Sequence, residues 1–479
     1  MNESILIDFY EFTMAYGYFK NGFKDRLATF DLFFRKIPDG GGYAIFAGLE
    51  SMVDYIQSLK FSEEDISYFR ERNLFDEDFL KYLKEFRFSG SVYAMPEGSV
   101  IFPEEPILIV KAPIIEAQLL ETFLLQAFNH QSLIATKSSR LKEASKDKII
   151  IEMGARRAHG STSANLGARA SYIAGIEATS NTMADRLYGV PAMGTMAHSW
   201  VQSFESEYKA FKAYAEAFPK NSTFLIDTYN TLKSGLPAAI KVIKEVLIPK
   251  GVKNFAVRID SGDLSYLSKA CRKVLNQEGL ETCKIVVSNA LDEYLIDNLL
   301  NQNAPIDIFG VGERLITAKS DPVFGGVYKL TSLEEEGFFK PKLKLSDNPN
   351  KMTTPGFKQV YRIFEEGSPE ADLITLHEEM LDTNKPLTIF DPLQPWLKKT
   401  FETYDVKPML VPIFENGQLV YKMPTLKEIA AYKKFNFDAF WPEVKRFYYP
   451  HQYHVDLSEK LFNLKKETIH LFTQKNKDK

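Results

Sequence analysis

The strongest constraint on the fold is a repeated pattern of strand, polar loop and helix that begins near residue 148. A β-branched run over 148–153 leads into a glycine-rich loop, and later apolar runs end in the same way at 224–226, 254–259, 284–287 and 306–309. Helical stretches follow the strands, at 164–188, 207–218, 237–247, 264–277 and 291–301. This alternation predicts a parallel sheet built from βα units.

Six or so such units favour a (β/α) barrel over an open doubly wound sheet, which is the alternative. In a barrel the functional residues lie at the carboxyl ends of the strands. We therefore expect one rim to carry the residues that follow these strands, namely Arg156, His198, Asp227, Asp260, Ser288 and Gly310.

The residues of this rim suit a phosphorylated sugar. Arg156 and Arg258 offer guanidinium forks for phosphate or carboxylate, and Asp260 can bind ribose hydroxyls or the water shell of Mg²⁺. Gly310 and Gly312 follow a predicted strand and can present bare N–H groups to phosphate. For any one of these residues, a surface ion pair or a tight turn is the simpler interpretation. Their joint placement favours a phosphosugar site.

The run Gly194–Phe204 gathers small residues, hydroxyls and a single histidine, His198. Such a loop can approach an anion while the histidine acts as base or nucleophile. Taken alone, a histidine beside serine and tryptophan is more often a hydrogen-bonded core residue. Tyr10 falls between the positions of the helically spaced Ile5, Phe9, Phe12 and Tyr16, and the sequence alone favours an ordinary packing aromatic there.

Bulk properties limit the function classes. With 479 residues, two or three domains are expected, and we predict boundaries at 1–135, 136–345 and 346–479. The net charge of −4 argues against a nucleic-acid partner. Two cysteines, an acidic N-terminus unlike a signal peptide and the lack of long apolar runs predict a cytoplasmic protein without membrane attachment. The P-loop motif and metal-ligand histidine spacing are both absent from the sequence.

These motifs, taken in order, resemble those of the nicotinate phosphoribosyltransferases over nearly the whole chain. The most specific runs are Gly194–Phe204 and Val257–Leu264. The other matching runs are Asp8–Ala15, Phe30–Arg35, Glu152–Ala158, Thr179–Asn181, Gly189–Pro191, Asp227–Tyr229, Val286–Asn289, Gly325–Leu330 and Lys344–Lys358.

The resemblance implies an α/β fold. Its parts are an irregular (β/α) barrel of the type II phosphoribosyltransferase kind and an α/β domain built from the N- and C-terminal segments. It also implies that nicotinate and 5-phosphoribosyl 1-pyrophosphate give nicotinate mononucleotide and pyrophosphate, with Mg²⁺ as cofactor and coupled hydrolysis of ATP. This reaction is the first step of NAD synthesis from nicotinate. Zinc is not implied, because the C-terminal cysteine cluster of some relatives is missing.

The resemblance also implies roles for individual residues. His198 matches a histidine that ATP phosphorylates, and Asp260 is a catalytic candidate. Tyr10, Thr195 and Arg258 match nicotinate contacts, with Tyr10 reaching across a homodimer. Thr353 matches a phosphoribosyl pyrophosphate contact, and Arg156, Asp260, Gly310 and Gly312 are assigned to the same substrate. The roles of Glu11, His159 and Asp263 stay open.

Three alternatives remain from the sequence. A nicotinamide or quinolinate phosphoribosyltransferase would share the fold, and the residues do not reveal which arginine faces the pyridine. A catalytically silent binding protein on the same scaffold has no physical need for His198 or for the two acidic residues Asp260 and Asp263. A glycosidase is the most distant alternative, because paired carboxylates there lack this density of arginines and glycine-bounded loops.

Overall fold

A computed structural model describes residues 3–346 and 352–475. Its helices are α1 (Phe9–Lys20), α2 (Leu49–Ser58), α3 (Glu63–Glu71), α4 (Glu77–Glu85), α5 (Ile114–Gln118), α6 (Glu121–Ser145), α7 (Ser161–Ile173), α8 (Thr182–Tyr188), α9 (His198–Gln202), α10 (Glu207–Ala217), α11 (Leu236–Val242), α12 (Leu264–Gln277), α13 (Glu293–Asn301), α14 (Glu313–Ile316), α15 (Leu426–Asp438), α16 (Pro442–Lys445) and α17 (Glu459–Lys475).

The strands are β1 (Leu27–Phe34), β2 (Ala44–Ile45), β3 (Ser91–Ala94), β4 (Val100–Ile101), β5 (Leu108–Pro113), β6 (Ile149–Glu152), β7 (Ala178–Thr179), β8 (Ser222–Leu225), β9 (Phe255–Ile259), β10 (Lys284–Ser288), β11 (Ile308–Val311), β12 (Gly326–Glu335), β13 (Phe338–Pro341), β14 (Lys358–Glu365), β15 (Ser368–Leu376), β16 (Leu387–Phe390), β17 (Lys398–Phe401), β18 (Asp405–Pro408), β19 (Val411–Glu415), β20 (Gln418–Leu419) and β21 (His454–Leu457).

The chain divides into two compact units, and the unit over 134–322 carries the βα repeat. Its six strands pair in parallel in the order β7-β6-β11-β10-β9-β8, and the sheet curls into a half-barrel. Most side chains of β6 and β9–β11 are buried. This agrees with their β-branched composition, because a parallel sheet is covered on both faces. The predicted α/β fold with an irregular barrel is therefore confirmed.

Two helices of this unit, α12 and α13, begin within five residues of the preceding strand, and an aspartate in the loop caps each of them. Asp263 accepts a hydrogen bond from the Tyr266 N–H at 2.9 Å at the start of α12. Asp292 does the same for the Leu295 N–H at 2.8 Å at the start of α13. Each cap satisfies an N–H group that the helix itself leaves unpaired. Asp263, whose role was open, is thus the N-cap of α12.

Two details of the βα prediction were wrong. The helix predicted over 164–188 ends at Ile173, and the short strand β7 and then α8 follow it. The break falls at Gly175, whose φ of +107° lies in the left-handed region that glycine tolerates. The last strand lies at Ile308–Val311 and not at 306–309, so Gly310 is inside β11 and does not follow it.

The second unit joins residues 1–133 to 323–479. Its seven-stranded sheet has the order β13-β12-β1-β5-β3-β19-β20, and a four-stranded sheet has the order β18-β14-β15-β21. Strand β1 lies between β12 and β5, with both pairings antiparallel, so segments from distant parts of the chain share one sheet. The predicted domain boundaries stay a prediction.

Buried ion pairs lie inside this second unit. Lys358 Nζ is 2.8 Å from Asp31 Oδ2, and Arg362 Nη2 is 2.6 Å from Asp372 Oδ2. All four side chains are almost fully buried, so each charge depends on its partner for compensation.

Among the described residues, no helix is both long and apolar enough to cross a bilayer.

Candidate functional site

Three of the predicted rim residues lie together at the carboxyl ends of β8, β9 and β10. The Asp260 N–H donates to Asp227 Oδ2 at 2.8 Å, and the Ser261 hydroxyl donates to the same oxygen at 2.7 Å. The Ser288 hydroxyl donates to Asp260 Oδ1 in a short hydrogen bond. Neighbouring strands in a parallel sheet bring their carboxyl ends together, which explains why residues about 30 positions apart meet here.

Arg258 organises this group from within β9. Its Nε donates to Ser288 Oγ and its Nη2 to Asp260 Oδ1, both at 2.9 Å. The Arg258 side chain is only 13% exposed, so its charge is partly desolvated and its attraction to Asp260 is stronger than at an open surface. A guanidinium has five N–H donors, and the remaining ones are suited to an anion such as a carboxylate.

His198 lies beside the same group as the first residue of α9. Its Nδ1 is 3.1 Å from Thr228 Oγ1, and its Nε2 is 3.9 Å from Asp260 Oδ2. The side chain is 40% exposed, so a ligand in solvent can reach the ring. The imidazole is therefore oriented by the Thr228 hydroxyl, with the Asp260 carboxylate close by but beyond hydrogen-bonding distance, and this arrangement suits a base or a nucleophile.

One buried acceptor at the rim has no hydrogen bond among the described residues. This acceptor is Asp227 Oδ1. The other oxygen of the same carboxylate, Oδ2, accepts from the Asp260 N–H and the Ser261 hydroxyl in the loop after β9. A buried carboxylate oxygen is costly to leave unpaired, so a ligand hydroxyl or bound water suits this position. No cluster of three or more metal-ligating side chains occurs within the described residues.

Thr195 lies next to β8. Its hydroxyl is 3.3 Å from the Thr223 carbonyl, an acceptor on that strand, and it also accepts from the Met196 N–H in a short hydrogen bond. The strand pairing places Leu225 of β8 opposite Arg258 of β9. Thr195 is thus tied to the strand that neighbours Arg258, although the structure shows no bond between the two.

The two glycines assigned to phosphate both pack closely against Met153. A Cβ on Gly310 would lie 2.7 Å from Met153 Sδ and 3.3 Å from Ser288 Cβ. A Cβ on Gly312 would lie 2.9 Å from the Met153 carbonyl oxygen. Gly312 therefore excludes a side chain whether or not phosphate binds, because the atom in the way belongs to the backbone, whereas at Gly310 the Met153 side chain would have to move. The phosphate contact of both glycines stays a prediction.

Arg156 lies on the turn that follows β6, in a short 3-10 helix over Ala155–Arg157. The side chain is exposed and makes no hydrogen bond or ion pair with the described residues. Arg157 has a weak ion pair, 3.8 Å from its Nε to Glu313 Oε2, and His159 is exposed. The structure brings His198, Asp227, Asp260 and Ser288 together but shows no contact between them and Arg156.

Tyr10 and Thr353 belong to the other compact unit. Tyr10 is 46% exposed on α1, so the ordinary packing aromatic that the sequence alone favoured is wrong. Thr353 is 2% exposed, and its hydroxyl accepts from the Lys344 N–H at 3.4 Å. Part of the matching run Lys344–Lys358, namely 347–351, lies outside the described residues. The proposed ligand contacts of Tyr10 and Thr353 stay predictions.

Sequence reasoning missed Thr228 and Ser261. Both hydroxyl groups bond to rim residues, Thr228 to the His198 ring and Ser261 to Asp227. The available signal was position alone, since each directly follows a rim aspartate in the sequence.

Three family models match the chain with almost no gap. The N-terminal domain of nicotinate phosphoribosyltransferase matches residues 5–129, the nicotinate phosphoribosyltransferase family matches 149–367, and the C-terminal domain matches 357–465. Nicotinate phosphoribosyltransferase of Bacillus subtilis is 44% identical over 469 residues, which cover 98% of this chain and 95% of that protein.

The chain belongs to the nicotinate phosphoribosyltransferase family. The human nicotinate phosphoribosyltransferase is 33% identical over 95% of both chains. The crystal structure of human nicotinic acid phosphoribosyltransferase superposes with a TM-score of 0.84 at 31% identity, covering 97% of this chain and all of that one. Nicotinate-nucleotide pyrophosphorylase from Pyrococcus furiosus has a TM-score of 0.70 at 23% identity over 92% and 97% of the two chains, a likeness of fold alone. The family predicted from the sequence is confirmed.

Proposed function

We propose that this chain forms nicotinate mononucleotide and pyrophosphate from nicotinate and 5-phosphoribosyl 1-pyrophosphate, coupled to ATP hydrolysis through a phosphohistidine at His198. This is the first step of NAD synthesis from nicotinate. The observation that carries the proposal is the Arg258–Asp260–Ser288 group beside His198, in a member of this family.

In the transfer step the pyridine nitrogen donates its lone pair to C1 of the ribose, and the bond from C1 to the pyrophosphate oxygen breaks. The leaving pyrophosphate keeps the electron pair, and no proton moves at the ring nitrogen. Positive charge develops on the ribose, where the carboxylate of Asp260 stabilises it. Arg258 and Ser288 hold Asp260 Oδ1, and Oδ2, which lies 3.9 Å from His198 Nε2, is the oxygen that we assign to the substrate.

Nicotinate differs from nicotinamide by its negative charge, and Arg258 is the cation that we assign to it. The free donors of the guanidinium suit a carboxylate, and low exposure strengthens the pairing. Thr195 supplies a hydroxyl near the same strand. Tyr10 is proposed to stack on the pyridine across a homodimer.

We assign the phosphoribosyl pyrophosphate to Arg156, Asp260, Gly310, Gly312 and Thr353. The exposed guanidinium of Arg156 supplies charge at the rim, and the orphan oxygen Asp227 Oδ1 fits a ribose hydroxyl or a water molecule. Because the described residues hold no ready metal cluster, Mg²⁺ is proposed to arrive on the pyrophosphate. There it supplies positive charge that stabilises the leaving oxygens.

ATP is proposed as co-substrate. A ring nitrogen of His198 attacks the γ-phosphorus, the bond to the bridging oxygen breaks, and ADP leaves with that electron pair. The exposed ring and its hydrogen bond to Thr228 support this role, since the imidazole is both reachable and oriented. Phosphate on His198 adds negative charge at the rim, which would order the arginines and Mg²⁺ before substrate binds.

A homodimer and a cytoplasmic location complete the proposal. Apolar side chains at the N-terminus are exposed together, and a second copy would cover them: Ile5, Leu6, Phe9, Tyr10 and Met14. Both cysteines are free and buried, as suits a reducing compartment. Light scattering of the wild type and of a Tyr10→Ala variant tests the dimer.

The activity is tested with purified protein, Mg²⁺ and phosphoribosyl pyrophosphate, with nicotinate, nicotinamide or quinolinate supplied separately, each with and without ATP. We expect mononucleotide from nicotinate alone, more of it with ATP, and ADP as co-product. His198→Ala should lose the ATP effect. Product from another pyridine would change the substrate assignment, and no product from any pyridine would favour a binding protein on this scaffold.

A further inference from the structure

A buried carboxylate at the end of β6 has no part in the reaction above. Glu152 is 0% exposed, and its side chain accepts the Thr179 hydroxyl at 2.6 Å and the Gly154 N–H in a short hydrogen bond. Its backbone carbonyl accepts the Ser180 N–H at 2.8 Å. Burial raises the pKa of Glu152, and these two side-chain bonds oppose that effect. One residue thus joins the loop after β6 to the loop after β7.

On one side, Glu152 fixes the turn that carries Arg156. The Gly154 carbonyl accepts the Arg157 N–H at 2.7 Å and the Ala158 N–H at 3.1 Å, which closes the turn. A Cβ on Gly154 would lie 2.5 Å from Ile316 Cβ, so the backbone is packed tightly at this point. The Gly154 position therefore has little freedom as long as Glu152 holds its N–H.

On the other side, Glu152 fixes the start of α8. The Thr179 hydroxyl donates to Glu152 and accepts the Asn181 N–H at 3.0 Å. Asn181 then caps α8 by accepting the Met183 N–H at 3.0 Å. Each donor and acceptor in this chain of bonds is used, so removal of one member loosens the others.

We propose that Glu152 is a positioning residue that holds the Gly154–Arg157 turn against the Thr179–Asn181 loop, so that Arg156 is oriented for the pyrophosphate group before the substrate binds. This inference rests on the proposed function, in which Arg156 meets phosphoribosyl pyrophosphate. An exposed arginine loses much conformational freedom on binding, and a fixed backbone reduces that cost. Misplacement of such a group by about 1 Å can cost up to about a hundredfold in rate.

The main test is Glu152→Gln. The new side chain has the shape of glutamate, but its NH₂ group replaces one of the two oxygens that accept from the Thr179 hydroxyl and the Gly154 N–H. We expect the KM for phosphoribosyl pyrophosphate to rise about tenfold, with the KM for nicotinate and kcat within about twofold of wild type. Thr179→Val is the milder second variant, and it should raise the same KM about threefold. Unchanged KM values in both variants overturn the inference.

The matched control is Asp307→Asn. Asp307 also accepts a backbone N–H from a neighbouring strand, Ile285 at 2.8 Å, but it lies at the amino end of the same sheet. Loss of stability there should leave the KM for phosphoribosyl pyrophosphate unchanged. An equal rise in the control would show that general destabilisation causes the effect, and it would overturn the positioning role.

A double-mutant cycle with Arg156→Ala tests whether Glu152 acts through Arg156. If it does, the double variant should have the same KM for phosphoribosyl pyrophosphate as Arg156→Ala alone. If the double variant instead raises this KM by the product of the two single-variant effects, the two residues act independently and the inference is overturned. Hydrogen exchange gives a readout without turnover: amides over 153–158 should exchange faster in Glu152→Gln but not in Asp307→Asn.

Failure of the proposed function has a different signature. If the wild type makes nicotinate mononucleotide but Arg156→Ala leaves the KM unchanged, the assignment of Arg156 is wrong, and this inference falls with it. If Arg156→Ala raises the KM and Glu152→Gln does not, the assignment stands and only the positioning role is overturned.

Discussion

The variant Arg258→Lys tests whether Arg258 binds the carboxylate of nicotinate or only stabilises the folded chain. The guanidinium donates to Ser288 and Asp260 at 2.9 Å each and still has donors for a substrate. A lysine ammonium keeps the positive charge but is a point donor without the planar fork. It can remain paired with Asp260, but it cannot also reach Ser288 and the substrate in the same geometry.

The size of the effect follows from the bonds that are lost. A hydrogen bond to a charged group contributes about 1.5–3 kcal/mol, and the low exposure of Arg258 places it inside that range. Losing one such bond to nicotinate and weakening the hold on Asp260 should cost about 2–4 kcal/mol in the transition state. At about 1.4 kcal/mol per tenfold change, kcat/KM for nicotinate should fall roughly 30- to 1000-fold.

The assay measures kcat/KM for nicotinate and for nicotinamide at saturating phosphoribosyl pyrophosphate, together with the melting temperature. The preference for nicotinate should shrink in Arg258→Lys while the melting temperature changes little. Arg272→Lys is the matched control, because Arg272 also forks between two acceptors, the carbonyls of Glu281 and Cys283, away from the rim. A loss of less than threefold in Arg258→Lys, or an equal loss in the control, would refute the assignment.

Three further predictions concern stability. Burial raises the pKa of Glu11 to about 8, so the folded chain keeps a proton that the unfolded chain releases near pH 4. The free energy of unfolding of the wild type should therefore fall, relative to that of Glu11→Gln, by about 1.4 kcal/mol per pH unit between about pH 5 and 8. Chemical denaturation at several pH values measures this, and an equal dependence on pH in both proteins would contradict it. Gly235→Ala should lower the melting temperature, because the new Cβ would lie 1.9 Å from the Ile226 carbonyl oxygen. The control is Gly17→Ala in α1, where the new Cβ meets nothing within 4 Å, and this variant should be more stable than the wild type by about 0.5–1 kcal/mol. Arg362→Met should cost about 3–5 kcal/mol in chemical denaturation, because it leaves a buried carboxylate without its partner, and a loss below 1 kcal/mol would show that water reaches the site.

Residues that follow strands were the most predictable part of the site. Asp227, Asp260 and Ser288 each come directly after or at the end of an apolar run, and the structure joins them by hydrogen bonds. Strand position decides which residues reach the edge of a parallel sheet, and strand position is visible in the hydrophobic pattern.

Contacts made by loops were less predictable. Thr228, in the loop after β8, meets His198 at the start of α9, and the shape of a loop leaves no periodic pattern in the sequence. The break near Gly175 was missed because the helical periodicity continues on both sides of it. Gly310 lies inside its strand, since the strand begins two residues later than the apolar run suggested. Thr353 is buried, although its run carries no regular apolar pattern that would predict this.

The bonds of the rim share a sequence separation. Asp260 and Asp227 are 33 residues apart, Arg258 and Ser288 are 30 apart, and His198 and Thr228 are 30 apart. Glu152 and Thr179 are 27 apart at the other side of the sheet. A strand with its helix takes about 30 residues, so each of these bonds links one βα unit to the next. The bonds among Asp227, Arg258, Asp260 and Ser288 therefore depend on strand register more than on the length of the returning helices, because a shift of one residue within a strand turns its side chains to the opposite face. The bond between His198 and Thr228 depends in addition on the segment between β7 and β8, in which His198 lies.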